Sequence, residues 1–337
     1  MRSVRFSLWR MGLVCALVGA TALTAAAQTS SSGRLLVVFR DSSELGIVDA
    51  VSGKLLGRVP TVKGPHEVTT DGKLAFMGSP AEGVGVIDIA AQKELRRFNP
   101  PGSAPHDVLF GNGKLFFTAE GYKSIGRYNP ATNAIEWMLG LGQNGSHMLV
   151  LGRDPNTIYV ANQGSNTVSF VEGIAAGPPK WQVTAAVPVP GHTVEALDLS
   201  PDGRELWAAA SSEGTVHVID VATKKVTYSA ELGMKDGNRL RITPDGKHVL
   251  LLDGGGDGAH AIFVVLDRAS RKEVKRIKLW DTQTGAGGFW VTRDGSRAYI
   301  GLRTVDRVAV VDLKTLEVIN HFSMPPKSGP GCIVWLD

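Results

Sequence analysis

The chain contains very little cysteine. Its 337 residues include two cysteines, Cys15 and Cys332, and the first lies in an apolar run close to the N-terminus. A single cysteine in the rest of the chain excludes an internal disulfide there, and it excludes the C-x-x-C-H motif that attaches haem. The folded protein must therefore be stabilised by its hydrophobic core, for which an apolar content of 43% is sufficient.

Long hydrophobic runs are also scarce, and the one clear example is at the N-terminus. Three arginines in the first ten residues precede an apolar run at about 11–23 and small residues at 25–27. These are the features of a secretory signal peptide, and the run is too short to span a membrane. We predict a Sec signal peptide at 1–27, cleaved after Ala27, then a flexible linker at 28–33. The protein is predicted to be periplasmic or secreted, with no membrane span.

The predicted mature chain lacks an excess of either charge. The whole sequence has 36 Lys and Arg against 32 Asp and Glu, and three of the basic residues belong to the predicted signal peptide. The remaining chain is close to neutral and has no long-range attraction for nucleic acid or anionic lipid. We therefore predict no nucleic-acid partner.

Helical periodicity is not sustained anywhere after the signal peptide, and a repeat of about 40–50 residues is found instead. In each unit a valine-rich run ends in Asp or Asn, whose side chain bonds the backbone two residues on and starts a turn. These turn residues are Asp49, Asp88, Asn129, Asp220, Asp267 and Asp312. An Asp-Gly type turn joins two further strands, and an insertion enlarges the hairpin at 168–177. Each unit is predicted to be a four-stranded blade of a β-propeller.

Counting the units predicts how the propeller closes. Six complete units begin near residues 65, 105, 146, 193, 238 and 287. The segment 34–62 supplies the last three strands of a further unit, and 329–337 supplies its first strand. The predicted fold is therefore all-β, a seven-bladed propeller over 34–337 with four-stranded antiparallel blades. The N- and C-terminal strands share the last blade, and we expect a monomer.

The repeat resembles that of the YVTN β-propellers. The segment "IYVANQGSNTVSFVE" at 158–172 has Tyr-Val-Ala-Asn where that family has Tyr-Val-Thr-Asn, and "LSPDG" at 199–203 and "ITPDG" at 242–246 fit the same repeat. The resemblance implies the propeller superfamily that includes nitrous oxide reductase and the quinoprotein dehydrogenases. It implies a fold more strongly than a function, because similar propellers serve both binding proteins and enzymes.

Aligning the units places one residue of each at the start of its innermost strand, near the mouth of the central channel. These residues are His66, His106, His147, Glu195, Asn238, Gly287 and Gly331. Three imidazoles and a carboxylate on consecutive blades are suitable ligands for a divalent transition metal, Zn, Fe, Mn or Cu. In this hypothesis Glu195 is the fourth ligand or a catalytic general base. Alternatively, each histidine bonds the backbone of the next blade and recurs only because the blades are duplicates.

The loops between the second and third strands should share the channel-mouth face. Together with the ring they contribute candidate ligand-binding residues, namely Arg40, Glu120, Tyr122, Gln163, Asn238, Arg239 and Arg303. The favoured function is an exported YVTN-type propeller that binds a small molecule or a protein at this face. The alternative is a metal-dependent hydrolase, lyase or oxidoreductase that uses the His/His/His/Glu cluster. The third possibility is a structural scaffold of the cell envelope whose channel has no chemical role.

Overall fold

The computed structural model describes residues 33–100, 102–174, 180–255 and 259–337. Seven antiparallel sheets of four strands each surround a central channel. The predicted all-β, seven-bladed propeller is confirmed. The predicted signal peptide, most of the linker and part of the insertion in the hairpin at 168–177 lie outside the described residues.

The strands follow the repeat units. The closing blade contains β1 (Arg34–Phe39), β2 (Glu44–Asp49), β3 (Leu55–Pro60) and, innermost, β28 (Pro330–Leu336). Blade 1 contains β4 (Glu67–Thr70), β5 (Leu74–Ser79), β6 (Gly83–Asp88) and β7 (Lys93–Phe98). Blade 2 contains β8 (Val108–Gly111), β9 (Lys114–Ala119), β10 (Ser124–Asn129) and β11 (Ala134–Gly140). Blade 3 contains β12 (Ser146–Leu151), β13 (Thr157–Asn162), β14 (Thr167–Ile174) and β15 (Lys180–Pro188).

The remaining blades have the same order, with the first strand of each lying next to the channel. Blade 4 contains β16 (Val194–Leu199), β17 (Glu205–Ala210), β18 (Thr215–Asp220) and β19 (Lys225–Glu231). Blade 5 contains β20 (Gly237–Ile242), β21 (His248–Asp253), β22 (Ile262–Asp267) and β23 (Lys272–Lys278). Blade 6 contains β24 (Ala286–Val291), β25 (Arg297–Leu302), β26 (Arg307–Asp312) and β27 (Glu317–Ser323). No helix in the described part of the chain is long and apolar enough to cross a membrane.

The pattern of burial explains why the middle strands are so apolar. Strand β5 (LAFMGS) and strand β6 (GVGVID) are buried along almost their whole length, because neighbouring blades cover both of their faces. The outermost strand β7 (KELRRF) instead alternates between exposed and half-buried residues. Its basic side chains discourage pairing with another chain at this free edge.

The predicted turns after the valine-rich strands are present. The Oδ1 atoms of Asp49, Asp220 and Asp267 each accept a backbone N–H bond at 2.7 Å from the residue three positions on. These bonds satisfy donors that the turn would otherwise leave without a partner. The aspartates therefore repeat because every blade needs the same turn.

The ring closes through the two ends of the described chain. Strand β28 pairs antiparallel with β1, with Arg34 opposite Leu336 and Leu36 opposite Val334. The predicted sharing of one blade by the N- and C-terminal strands is confirmed. This pairing replaces a free sheet edge with backbone hydrogen bonds and fixes the circle.

Side chains also join the inner strands of neighbouring blades. The backbone N–H groups of Leu149 and Ile242 donate to Asp107 and Asp198, each at 2.8 Å, and both aspartates come from the preceding blade. Burial raises the pKa of Asp107 to about 7. Neighbouring blades diverge from the channel, so their backbones cannot pair in one continuous sheet. The aspartates instead accept bonds from backbone N–H groups that would otherwise have no partner.

Candidate metal centre at the channel mouth

The predicted ring residues lie where the inner strands begin, and in several blades they occupy a β-bulge. The register of β16 against β17 shifts at Glu195, that of β20 against β21 at Asn238, and that of β24 against β25 at Gly287. A corresponding shift in β12 includes His147. A bulge leaves its extra residue unpaired and turns that side chain away from the regular alternation of the strand. The ring residues are therefore free to face the channel mouth.

The three histidines are in contact with one another. The ring centroids of His66 and His106 are 4.6 Å apart, and those of His106 and His147 are 4.0 Å apart. His106 and His147 are both 6% exposed, whereas His66 is half-buried. The sequence-based expectation that consecutive blades present their histidines to one place is consistent with this geometry.

A chain of hydrogen bonds fixes the tautomers of two of these rings. The Nη2 atom of Arg40 donates to Nε2 of His66 at 2.8 Å, and Nδ1 of His66 lies 2.9 Å from Nε2 of His106. Because arginine only donates, neutral His66 carries its proton on Nδ1 and donates it to His106. Without a metal ion, neutral His106 therefore carries its own proton on Nδ1, and a metal ion bound at that atom would displace this proton.

The third partner of His106 and His147 is Glu120, from a loop of blade 2. It begins a 3₁₀ turn, Glu120–Tyr122, that ends at Lys123 in the left-handed region (φ 53°). One ligand atom from each of His106, Glu120 and His147 lies within 4.8 Å of the others. The Nε2 atom of His147 is 3.8 Å from Oε1 of Glu120. The structure therefore groups His106 and His147 with Glu120. The set predicted from the sequence contained the same two histidines together with His66 and Glu195.

Burial keeps the histidines neutral. Burial, and then the charge of arginines such as Arg40, lower the pKa of His66 to about 4. Burial and the charge of Arg239 lower the pKa of His147 to about 3, and burial lowers that of His106 well below its usual value. Neutral imidazoles retain the lone pair that a metal ion requires.

The two carboxyl groups near the histidines are perturbed in the opposite direction. Burial, and then the charge of Glu195, raise the pKa of Glu120 to about 7. Burial also raises the pKa of Glu195, whose Oε1 accepts a 2.6 Å hydrogen bond from Nε2 of Gln163. Desolvated groups with shifted pKa values cluster at functional sites more often than elsewhere.

Several buried polar atoms of this cluster lack a hydrogen-bond partner among the described residues. They are Nδ1 of His106, Nδ1 of His147 and Oε1 of Glu120. A buried polar group without a partner costs about 1–3 kcal/mol, so most buried groups in folded proteins are paired. Three such atoms on three adjacent residues indicate a place for a ligand.

The other predicted ligand-binding residues are distributed around the same mouth. Arg303 pairs with Asp41, with its Nε atom 3.0 Å from Oδ1, and Asn238 donates to Oδ2 of Asp236 at 3.0 Å. Tyr122 is 49% exposed at the rim. Arg303 and Tyr122 are thus engaged or face solvent, whereas Oδ1 of Asn238 is buried without a partner among the described residues.

Arg239 lies close to the histidine cluster, since its charge, in addition to burial, lowers the pKa values of His66, His106 and His147. Its Nη2 atom donates to Oε1 of Glu67 at 2.5 Å, across the channel from blade 5 to blade 1. Glu67 is 3% exposed and was not among the predicted residues. Its one sequence signal is its place directly after His66, which matches the place of Asp107 after His106.

The ring of residues around the channel mouth has no polar side chain at Gly287 and Gly331, which lie next to each other. A Cβ atom on Gly287 would lie 2.7 Å from the Cα atom of Gly331. The inner strands β24 and β28 therefore approach too closely for a side chain at Gly287. The asymmetry seen in the sequence is a real asymmetry of the channel mouth.

Comparison with known proteins shows the fold and nothing narrower. No family model matches the chain, and no curated protein does. A protein of unknown function from Desulfotomaculum acetoxidans DSM 771 superposes with a TM-score of 0.71 at 12% identity, over 90% of this chain and 99% of that one. A proposed 6-phosphogluconolactonase from Bacteroides fragilis NCTC 9343 gives 0.71 at 14%, over 92% and 99%.

A third solved structure extends the comparison. The dihydro-heme d1 dehydrogenase NirN, in complex with DHE, gives a TM-score of 0.66 at 16% identity, over 90% of this chain and 75% of that one. Proteins with such different activities share this architecture, so the fold alone assigns no activity. The YVTN resemblance stays a prediction, and the chain is shown to be a seven-bladed β-propeller with a polar channel mouth.

Proposed function

We propose that this propeller is a binding protein whose site is a divalent transition-metal centre at the channel mouth, held by His106, His147 and Glu120. The observation that carries the proposal is that these three residues meet within 4.8 Å while each has a buried polar atom without a protein partner. Two imidazoles and one carboxylate leave coordination positions for an exogenous ligand. Zn²⁺, Fe²⁺, Mn²⁺ and Cu²⁺ all accept this donor set.

The surroundings of the cluster favour a metal ion over a purely structural role. The bonds from Arg40 to His66 and from His66 to His106 hold the inner ring in place without metal. For Nδ1 of His106 to bind a metal ion, its proton must leave, His106 must donate from Nε2 to His66, and Arg40 must release Nε2 of His66. A structural role would instead pair each histidine with backbone acceptors of the next blade. Nδ1 of His106 and Nδ1 of His147 have no hydrogen-bond partner among the described residues, although the imidazole of His147 also interacts with the backbone of Glu195 in the next blade.

The cellular context of the proposal comes from the sequence. Basic, apolar and small-residue segments at 1–27 favour an exported protein. The tetrapeptide at 159–162 favours a member of the YVTN propellers, several of which are binding proteins of the cell envelope. A small molecule or a protein that reaches the channel-mouth face would then complete the metal's coordination.

Metal analysis tests the proposal directly. The full chain, expressed without a His-tag and purified without chelator, is incubated with Zn²⁺, Mn²⁺, Fe²⁺ or Cu²⁺, desalted and analysed for bound metal. We expect about one ion per chain for one of these metals. Replacing His147→Ala or Glu120→Gln should reduce the affinity at least tenfold. Protein that stays metal-free with all four ions would refute the proposal.

A matched variant separates this site from the set predicted by the sequence. His66→Gln removes a histidine of the same ring that lies outside the group of three but contacts His106, so it should weaken metal binding less than His147→Ala does and still bind about one ion at saturation. Loss of metal in His66→Gln with retention in Glu120→Gln would show that the ligands are the ring residues instead. Circular dichroism of each variant confirms that the fold is retained.

A second candidate function is a metal-dependent hydrolase, lyase or oxidoreductase. The observation that favours it is a second buried carboxyl group, Glu195, close enough to raise the pKa of Glu120 but outside the group of three. In this role Glu195 is a general base beside the metal. Metal-loaded protein is screened with esters and lactones, and Glu195→Gln should then abolish turnover while retaining the metal. Equal turnover in this variant would exclude that role.

A further inference from the structure

Arg40, at the channel mouth, has no carboxylate partner among the described residues. It directly follows strand β1 of the closing blade and is half-buried. Its Nη2 atom donates to Nε2 of His66 at 2.8 Å, which is its one side-chain hydrogen bond to a described residue. Its Nε and Nη1 atoms are not among the buried atoms that lack a partner, so they reach the solvent of the mouth. This guanidinium is therefore accessible to a ligand.

The immediate surroundings of Arg40 carry more positive than negative charge. Burial, and then the charges of Arg303 and Arg239, lower the pKa of Arg40. The charges of Asp41 and Glu67 act in the opposite direction. Both carboxylates already form ion pairs, Asp41 with Arg303 and Glu67 with Arg239. Each pair cancels one guanidinium charge, so the charge of Arg40 is left without compensation.

The other two carboxyl groups near the histidines do not compensate Arg40 either. Glu120 and Glu195 belong to blades 2 and 4, and neither is among the main groups that shift the pKa of Arg40 or of His66. Burial raises the pKa of both glutamates, so each carries less negative charge than a solvated glutamate does. We call the group of Arg40, His66 and Arg303 the arginine corner. A negatively charged ligand is favoured there by the local balance of charge.

Occupation of the metal centre would change what Arg40 and His66 offer to such a ligand. With a metal ion on its Nδ1 atom, His106 donates from Nε2 to Nδ1 of His66. Neutral His66 then carries its proton on Nε2, the atom that otherwise accepts from Arg40. Two N–H donors would face each other, and an acceptor placed between them would satisfy both. An oxyanion supplies that acceptor together with the missing charge.

We propose that the arginine corner binds a singly charged oxyanion, and that the anion binds more tightly when the metal centre is occupied. The coupling rests on the metal centre proposed above, whereas the anion site itself does not. Guanidinium N–H groups match the oxygens of a carboxylate or of a tetrahedral oxyanion such as a phosphate ester. By linkage, the bound anion tightens metal binding by the same factor as the metal tightens anion binding.

Calorimetric titration of the full chain tests the site, first after removal of metal by a chelator and then after loading with a metal ion. Acetate represents a carboxylate, and methanesulfonate represents a singly charged tetrahedral oxyanion that coordinates metal ions only weakly. We expect saturable binding of at least one of the two to the metal-free chain. Loading should increase the affinity about fivefold or more. The anion that binds more tightly identifies the kind of oxyanion that the site prefers.

Variants of Arg40 separate this site from direct binding of the anion to the metal ion. Arg40→Met should weaken anion binding at least tenfold and abolish the gain on metal loading, while about one ion per chain stays bound. Arg40→Lys keeps the charge without the planar donors and should weaken binding severalfold, which decides the same question should Arg40→Met not fold. Arg204→Met, an exposed arginine outside the mouth, is the matched control and should bind as wild type does.

The anion site and the metal centre fail by different results. Absence of saturable binding for both anions, or unchanged affinity in Arg40→Met, would overturn the anion site and leave the metal centre standing. Equal affinity in the metal-free and loaded chains, or a gain on loading that persists in Arg40→Met, would overturn the coupling. A chain that takes up no metal but binds an anion through Arg40 would overturn the metal centre and the coupling, and would support the anion site.

Discussion

The ion pair between Glu67 and Arg239 should stabilise the closed propeller, and the effects of replacing its two residues should not be additive. It joins blade 1 to blade 5 across the channel, and its side chains are 4% and 14% exposed. Removing one partner of a buried pair typically costs about 3–5 kcal/mol, because the other charge is left without compensation. We therefore expect Glu67→Gln to lower the free energy of unfolding by about 3–5 kcal/mol.

The two single variants should not be equivalent. Arg239→Met keeps the apolar stem that the arginine packs into the channel, so we expect it to cost about 2–3 kcal/mol. Arg239 stays protonated at all accessible pH values, so Glu67→Gln leaves a full charge behind. The double variant removes both charges and should cost about 2 kcal/mol less than the sum of the single variants.

Urea unfolding followed by tryptophan fluorescence measures these energies in one double-mutant cycle. The matched control is Arg58 with Glu44, a cross-strand pair whose arginine is 41% exposed. Exposed pairs couple by about 0.2–1 kcal/mol, so that cycle should be close to additive. An additive result for Glu67 and Arg239 would refute the reasoning, because it would mean that the two charges do not interact in the folded protein.

Three further predictions concern the packing between blades and the response to pH. Tyr299→Phe should cost about 1 kcal/mol in urea unfolding, because the buried hydroxyl donates to the carbonyl oxygen of Ala50 in the next blade at 2.9 Å. Trp207→Ala should cost about 3–5 kcal/mol, because this fully buried side chain leaves a cavity between blades 4 and 5. Lowering the pH from 7.5 to 5.5 should destabilise wild type more than His217→Gln, measured by urea midpoints.

The sign of the last prediction follows from burial. Burial lowers the pKa of His217 in the folded state below its usual 6.5, so below that pH the unfolded chain binds a proton that the folded chain does not. Stability is therefore lost as the pH falls through 6.5. An equal loss in the variant would show that His217 stays solvated. Unchanged stability in Tyr299→Phe or Trp207→Ala would contradict the interblade contacts assigned to those side chains.

The fold could be predicted from the sequence because each blade requires the same local chemistry. The turn aspartates at 49, 220 and 267 accept backbone bonds within three residues, so their recurrence marks the end of a strand without any knowledge of tertiary structure. The incomplete units at the two ends predicted the pairing of β1 with β28 for the same reason. The repeated local sequence was therefore sufficient to predict where the strands end and how the ring closes.

The candidate site could be predicted only in part. The repeat placed His106 and His147 on neighbouring blades, and the structure brings their rings together. The repeat could not show that Glu120, and not Glu195, joins these histidines. The position of Glu120 depends on a 3₁₀ turn and that of Glu195 on a β-bulge, and neither leaves a periodic signal in the sequence. The Glu67–Arg239 contact joins residues 172 positions apart, and nothing in either local sequence indicates the other.

The shared closing blade has a consequence for the order in which the chain acquires structure. Strand β1 is made before the other described strands, yet its partner β28 is the last of them to be made. Until then the finished blades form an open arc with β1 unpaired along one edge. Closing the circle joins the most distant parts of the sequence, so it should be the slowest step of folding. Up to that moment the exposed edge of β1 is where a nascent chain could pair with the wrong partner.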